Sequence, residues 1–322
     1  MGGLNGLNLD ALNPAQARVV TELMSLGAER PRFPPSLGTD LRDHMEEALA
    51  PIVPELGEPL WVTKRALGQV HACEGHYRAE LQEPFGWNRR NAEGTVVHKA
   101  LELSVSARSE VAPLDLVDRA LETLMADEHR TSPRPWLLEA DELDVAELRA
   151  RVNDTVVKFR ECWPPLAAAW APRTETGIGA DLCGDRVVLR GRVDLVLGVA
   201  RGDEARSLVV DLKTGRGHPG HADDLRFYAL VQTLRVGVPP FRVASYYLDT
   251  ATFYTEDVTM ETLETALRRT VDGAAKMARL LDPSAAAGLS AGPTCGWCGL
   301  RPSCPAAAAA AAAADDDDPL TR

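Results

Sequence analysis

Asp211 and Lys213 stand two residues apart in S-L-V-V-D-L-K-T-G-R, Ser207 to Arg216. Leu208, Val209 and Val210 are apolar without alternation, the pattern of a strand buried on both faces of a sheet. In a strand, a spacing of two puts both charged side chains on one face. There a carboxylate and an ammonium need a partner, a metal or solvent. A second carboxylate, Asp194, lies in the apolar run R-V-D-L-V-L, and His98 precedes Glu102 by four residues on a helical stretch. Two carboxylates on neighbouring strands can share a hard divalent cation, Mg²⁺ or Mn²⁺, with His98 completing the site. Such an ion polarises a phosphodiester and acidifies a bound water. Lys213 would orient that water or offset developing negative charge. A plain Asp211–Lys213 ion pair needs no cation, so this strand alone leaves both readings open.

Helices and strands along the whole chain must position these residues. Pro14 opens a helix after Asn13 that runs to Gly27, and a second follows Thr39 through Leu41, Met45 and Leu49. From Thr63 the spacing of Ala66, Leu67, Val70, Cys73 and Tyr77 predicts one helix. Thr95 is a candidate cap for the helix carrying His98. Amphipathic helices follow near Leu114–Met125 and Leu143–Trp163, the second stopped by Pro164 and Pro165. Short strands are expected at 174–182, 186–189 and 193–199, the last two separated at Gly191, before the Asp211 strand. A helix over 221–236, strands at 242–248 and 252–258, and a helix over 260–281 complete the pattern. The expectation is an α/β fold with a mixed central sheet flanked by helices. Residues 1–60 would form an N-terminal helical extension, 61–304 the main domain, and 305–322 a disordered Ala/Asp tail.

Composition narrows the function classes. The 322 residues are 45% hydrophobic and 25% charged, with a net charge of −12. That excludes a globally basic nucleic-acid binder but not a local basic groove. L-N-P-A-Q at Leu12 to Gln16 resembles an adenine-reading motif of helicases, yet the dipeptide Gly-Lys never occurs, so no ATP site is expected. No secretory signal or membrane-length apolar run is present, and a cytoplasmic location is the expectation. Cys295, Cys298 and Cys304 form C-x2-C-x5-C in a Gly/Pro-rich loop. Cys73 supplies a fourth thiolate if it packs against this loop, for an iron–sulfur cluster or a zinc ion. Cys162 and Cys183 lack partners at ligand spacing and read as small core residues.

G-R-V-D-L-V at Gly191 to Val196, followed by V-V-D-L-K-T-G at Val209 to Gly215, resembles the PD-(D/E)XK nuclease superfamily, in its RecB-like branch. E-G-T-V-V-H at Glu93 to His98 is similar to that branch's glycine and histidine on an upstream helix. Its Q-x-x-x-Y pattern appears here as D-L-R-F-Y, with Tyr228 in place and Asp224 where glutamine is usual. The resemblance implies a restriction-endonuclease-like fold in which His98, Asp194 and Asp211 bind metal and Lys213 is catalytic. It adds Glu175 as a further metal candidate and Tyr228 as a residue supporting DNA or the site. One cysteine before the domain and three after it is the arrangement of RecB-like enzymes with a [4Fe-4S] cluster. Those include the CRISPR-associated adaptation exonucleases and the AddB nuclease domain. The implied activity is metal-dependent hydrolysis of DNA, as an exonuclease on single-stranded ends in repair or recombination, with a helicase or repair partner. Arg216, Arg226 and Arg192 would supply phosphate contacts. A CRISPR spacer-processing nuclease, or a non-catalytic DNA-binding subunit with the same fold, are the alternatives.

Overall fold

The computed structural model describes residues 9–82, 86–107, 109–129 and 131–316. Its helices are α1 (Pro14–Arg18), α2 (Leu37–Leu49), α3 (Lys64–Ala72), α4 (Glu74–Gln82), α5 (Arg89–Ser106), α6 (Pro113–Ala126), α7 (Arg134–Glu139), α8 (Glu142–Cys162), α9 (Gly220–Val236), α10 (Met260–Arg279) and α11 (Pro305–Asp316). The strands are β1 (Leu60–Val62), β2 (Arg173–Leu182), β3 (Val187–Leu197), β4 (Leu208–Lys213), β5 (Arg242–Tyr247) and β6 (Thr252–Asp257). They form one mixed sheet flanked by helices, in the restriction-endonuclease-like arrangement expected from the sequence.

β3 organises this sheet. One edge pairs with antiparallel β2 along most of its length. The other edge is shared: β1 runs parallel to its start, at Val187 to Leu189, and β4 antiparallel to its end, at Leu195 to Leu197. Between those ladders the edge opens, and Asp194 sits at the fork. β4 continues into parallel β5 through the crossover helix α9, and β6 closes the sheet antiparallel to β5. α9 is buried nearly all round, at Leu225, Phe227, Tyr228, Ala229, Leu230, Val231 and Leu234, as a helix inside a layered α/β core must be.

Several sequence expectations change. The strands read as 186–189 and 193–199 are one strand, because Gly191 does not break it. A Cβ at Gly191 would lie 2.9 Å from Cε1 of Tyr228, so the glycine makes room for the α9 tyrosine. The helix expected from Thr63 to Tyr77 divides at Cys73, whose φ of −166° and ψ of 117° are extended. α5 starts at Arg89 under an Asn88 cap, and Thr95 sits inside it, its hydroxyl donating to the Asn91 carbonyl. β1 has no counterpart among the expected strands. The alanine block forms α11 where disorder was expected, in keeping with alanine's helix propensity; residues 317–322 lie outside the described residues. The N-terminal segment joins the same hydrophobic core as the sheet. Gln16 donates to the carbonyls of Arg160 and Trp163, an ordinary structural role.

Candidate active site

Three elements bring an imidazole and two carboxylates together. α5 crosses the end of β4 closely enough that a Cβ at Gly94 would lie 3.1 Å from Thr214 Oγ1. One turn later the same helix face presents His98. β2 supplies Glu175 and β3 supplies Asp194. His98 Nδ1 lies 3.3 Å from Asp194 Oδ1 and 3.7 Å from Glu175 Oε1. One donor atom from each of the three falls within 4.8 Å of the others, and among the described residues no other such group of ligands occurs. Glu175 adopts φ of +47°, a region that costs a non-glycine residue about 1–3 kcal/mol and is held where surrounding structure demands it. The backbone turn aims its carboxylate at His98 instead of continuing the ladder.

The electrostatics of this trio suit a cation. Burial disfavours the His98 imidazolium, but Asp194 and Glu175 outweigh it and raise its pKa to about 10. Burial pushes the Glu175 carboxyl up, and His98 and Arg192 more than reverse that, leaving it lowered. The imidazolium thus stands where two carboxylates call for positive charge. A hard divalent ion with ligands at about 2.0–2.6 Å fits this donor set once His98 gives up its proton.

The second group lies across the fork. Asp211 on β4 is 1% exposed, with its Oδ1 2.9 Å from Lys64 Nζ and its Oδ2 2.5 Å from Lys213 Nζ. Burial raises its pKa, and the two ammonium groups reverse that and hold it well below the ordinary carboxylate range. Lys213 also lies 3.3 Å from Asp224 Oδ2 on α9. The aspartate standing where glutamine is usual therefore still holds the lysine. Burial raises the Asp224 pKa. Asp194 links the two groups: its Oδ2 accepts the Leu212 N–H at 2.6 Å, satisfying a backbone donor that the open ladder leaves over.

The sequence-derived residues thus divide. His98, Glu175 and Asp194 are brought together. Asp211 is adjacent, but both its oxygens face ammonium groups instead of the trio. Tyr228, expected to support DNA or the site, is 1% exposed, which leaves it the second of these roles and not a DNA contact. Its hydroxyl donates to the Arg192 carbonyl at 2.6 Å, and its ring lies 4.8 Å below Lys64 Nζ, so it supports β3 and Lys64. Arg226 is corrected too: Glu256, at 2.9 Å, and Asp223, at 3.5 Å, hold it. Arg192 and Arg216 are exposed near the site. Lys64 was missed by the sequence reading. Its one signal was a lysine directly after the Thr63 cap, at the positive end of a helix where cations are disfavoured.

Lys64 and Asp224 also line a groove of about 1090 Å³. Arg65, Arg269, His76, His218 and the 67% exposed Trp297 line it as well. Cys73 lies buried at the α3–α4 break, its Sγ 3.9 Å from the Gly288 carbonyl oxygen. It therefore packs against the segment that leads to Cys295. Among the described residues no three cysteine sulfurs approach within 4.8 Å of one another. Cys183 lies by Glu46, apart from the others, and like Cys162 is half-buried.

No curated protein sequence matches the chain. Among solved structures, a candidate exonuclease from Eubacterium rectale aligns with 75% of this chain and 87% of its own, at 11% identity and a TM-score of 0.47. A protein designated SSO0001 aligns over 66% of this chain and 94% of its own, at 17% identity and a TM-score of 0.31. The sequence model of the PD-(D/E)XK nuclease superfamily matches residues 64–305, from Lys64 itself to the end of the cysteine loop. The chain belongs to the PD-(D/E)XK nuclease superfamily.

Proposed function

We propose that the chain is a metal-dependent deoxyribonuclease of the RecB-like kind, an exonuclease acting on single-stranded ends in repair or recombination, working beside a helicase or repair partner. The observation that carries this reading is the meeting of His98, Glu175 and Asp194 beside the Asp211–Lys213 pair. Unlike a surface ion-pair network, this set combines hard-ligand chemistry with a half-buried ammonium 2.5 Å from a buried carboxylate.

His98, Glu175, Asp194 and Asp211 would hold Mg²⁺ or Mn²⁺. The bound ion would polarise the scissile phosphate and lower the pKa of a water. Lys213, held between Asp211 and Asp224, points a fixed positive charge at the same place and offsets the charge that develops on the phosphoryl oxygens. Tyr228 keeps β3 and Lys64 in position. Arg216 and Arg192 meet backbone phosphates at the rim, which supplies the local positive charge that a chain of net charge −12 otherwise lacks.

Cys73, Cys295, Cys298 and Cys304 would carry a [4Fe-4S] cluster that staples the α3–α4 break to the C-terminal loop. The contact of Cys73 with Gly288 supports the pairing of these segments. Phosphodiester hydrolysis requires no redox step, so the cluster's work is structural.

Incubation with linear and circular single-stranded DNA tests this function. With Mg²⁺ or Mn²⁺ the linear strand is degraded from an end and the circle persists. EDTA stops the reaction. Cutting of the circle at the same rate would refute the exonuclease assignment, and cutting in EDTA would refute metal dependence.

A further inference from the structure

Lys64 is a half-buried charge beside the site to which the nuclease reading gives no work. Its surroundings assign it one. Asp211 is almost wholly enclosed, with an ammonium near each of its two oxygens, so a cation that takes it as a ligand competes with those charges. Asp194 and Glu175 balance the ion's charge once His98 loses its proton, but on Asp211 the ion would still lie beside two like charges, each ammonium sitting against an oxygen that the ion would use.

The ion's competitor on Asp211 is the ammonium that yields more easily, and the two lysines are not equally free. Lys213 has a second carboxylate, Asp224, and sits within a paired strand. Lys64 has a single carboxylate partner, and the first turn of α3 gives its charge no support. It is 29% exposed along its side chain and borders the large groove. Its four-carbon stem can carry the ammonium outward without moving the helix.

We infer that Lys64 is a placeholder for the divalent cation on Asp211: it neutralises that carboxylate in the metal-free chain and swings into the groove when the ion binds. This rests on the proposed metal site. In the groove the released ammonium is available to a nucleic-acid phosphate. Ion and strand then strengthen each other's binding through the same side chain, as linkage requires. Lys64 is thus a positioning residue whose effect shows first in metal affinity, before any chemistry.

Two measurements without substrate decide it. In a Mn²⁺ titration followed by electron paramagnetic resonance, Lys64→Met and Lys64→Gln should bind the ion more tightly than the unaltered chain. A gain of about 10- to 100-fold is expected, the scale of one charge-assisted hydrogen bond. The second measurement needs no variant. Amine acetylation read by peptide mass spectrometry should find Lys64, one of five lysines, protected in EDTA and reactive in saturating Mn²⁺. Lys64 protected equally in both states, while Mn²⁺ is bound, would overturn the inference. So would folded variants with unchanged or weaker Mn²⁺ affinity. If His98→Ala abolishes Mn²⁺ binding in the same titration, the site survives even where the Lys64 inference fails. If the unaltered chain binds no Mn²⁺, both fall together.

Discussion

The two halves of the site solve the same problem in opposite ways. On the α5–β2–β3 side, two carboxylates converge and a histidine supplies the positive charge between them. On the α3–β4–α9 side, two ammonium groups converge and a buried aspartate supplies the negative charge. In the metal-free chain the first half sums to −1, and the second sums to zero only when Asp224 is counted. On the proposed reading, a divalent ion binding both halves displaces a proton from the first and the Lys64 ammonium from the second. Gathering of ligands and readiness for metal are thus separate properties: His98, Glu175 and Asp194 need only lose a proton, whereas Asp211 exchanges a partner.

The largest expected effect separates the halves directly. Asp194→Asn removes a ligand at the fork while keeping the side chain's shape. Cleavage should fall by about 10³-fold or more, on the scale of losing a principal electrostatic contributor, with Mn²⁺ affinity falling in parallel. Retained affinity would mean that the first half is not the metal site.

A smaller effect comes from pH. In the EDTA-treated chain the folded pKa of His98, about 10, lies above its ordinary 6.5. Its stabilisation is therefore complete below about pH 6.5 and is lost as pH rises through about 10. The Asp211 pKa is depressed, so its stabilisation is present above its ordinary 3.8 and is lost as pH falls through the folded value. Melting temperatures across pH should show His98→Ala flattening the alkaline limb and leaving the acid limb. Asp211→Asn should do the reverse. Identical limbs in all three proteins would erase the comparison.

The smallest effect concerns Asp224. Glutamine at this position keeps an oxygen for Lys213, so Asp224→Gln should change the cleavage rate by no more than about threefold, a loss on the scale of one weak hydrogen bond. A hundredfold loss would show that the negative charge on α9 is itself required.

Much of this was legible in the residues because local pattern and global fold agree. The apolar run before Asp211 could only be a central strand, and β4 is one, paired on both sides. His98 was legible through its spacing from Gly94, which the close crossing of α5 over Thr214 explains. Glu175 was visible as a residue type but not as a geometry, because a left-handed turn inside a strand leaves no mark in periodicity. Gly191 misled: a glycine in a strand pattern reads as a break, and only the packed ring of Tyr228 shows why it is there. Lys64 was invisible because its partner lies 147 residues away. Long-range ion pairs have no sequence period to betray them.

In the proposed reaction the pocket between α5, β3 and β4 cuts DNA with a divalent ion and a lysine. Cleavage of an end-labelled single strand by Asp211→Asn and Lys213→Ala, each checked for folding and assayed in Mg²⁺ and Mn²⁺, tests it most directly. Neither folded variant should cut measurably while the unaltered chain does. Undiminished cutting by both variants would contradict it.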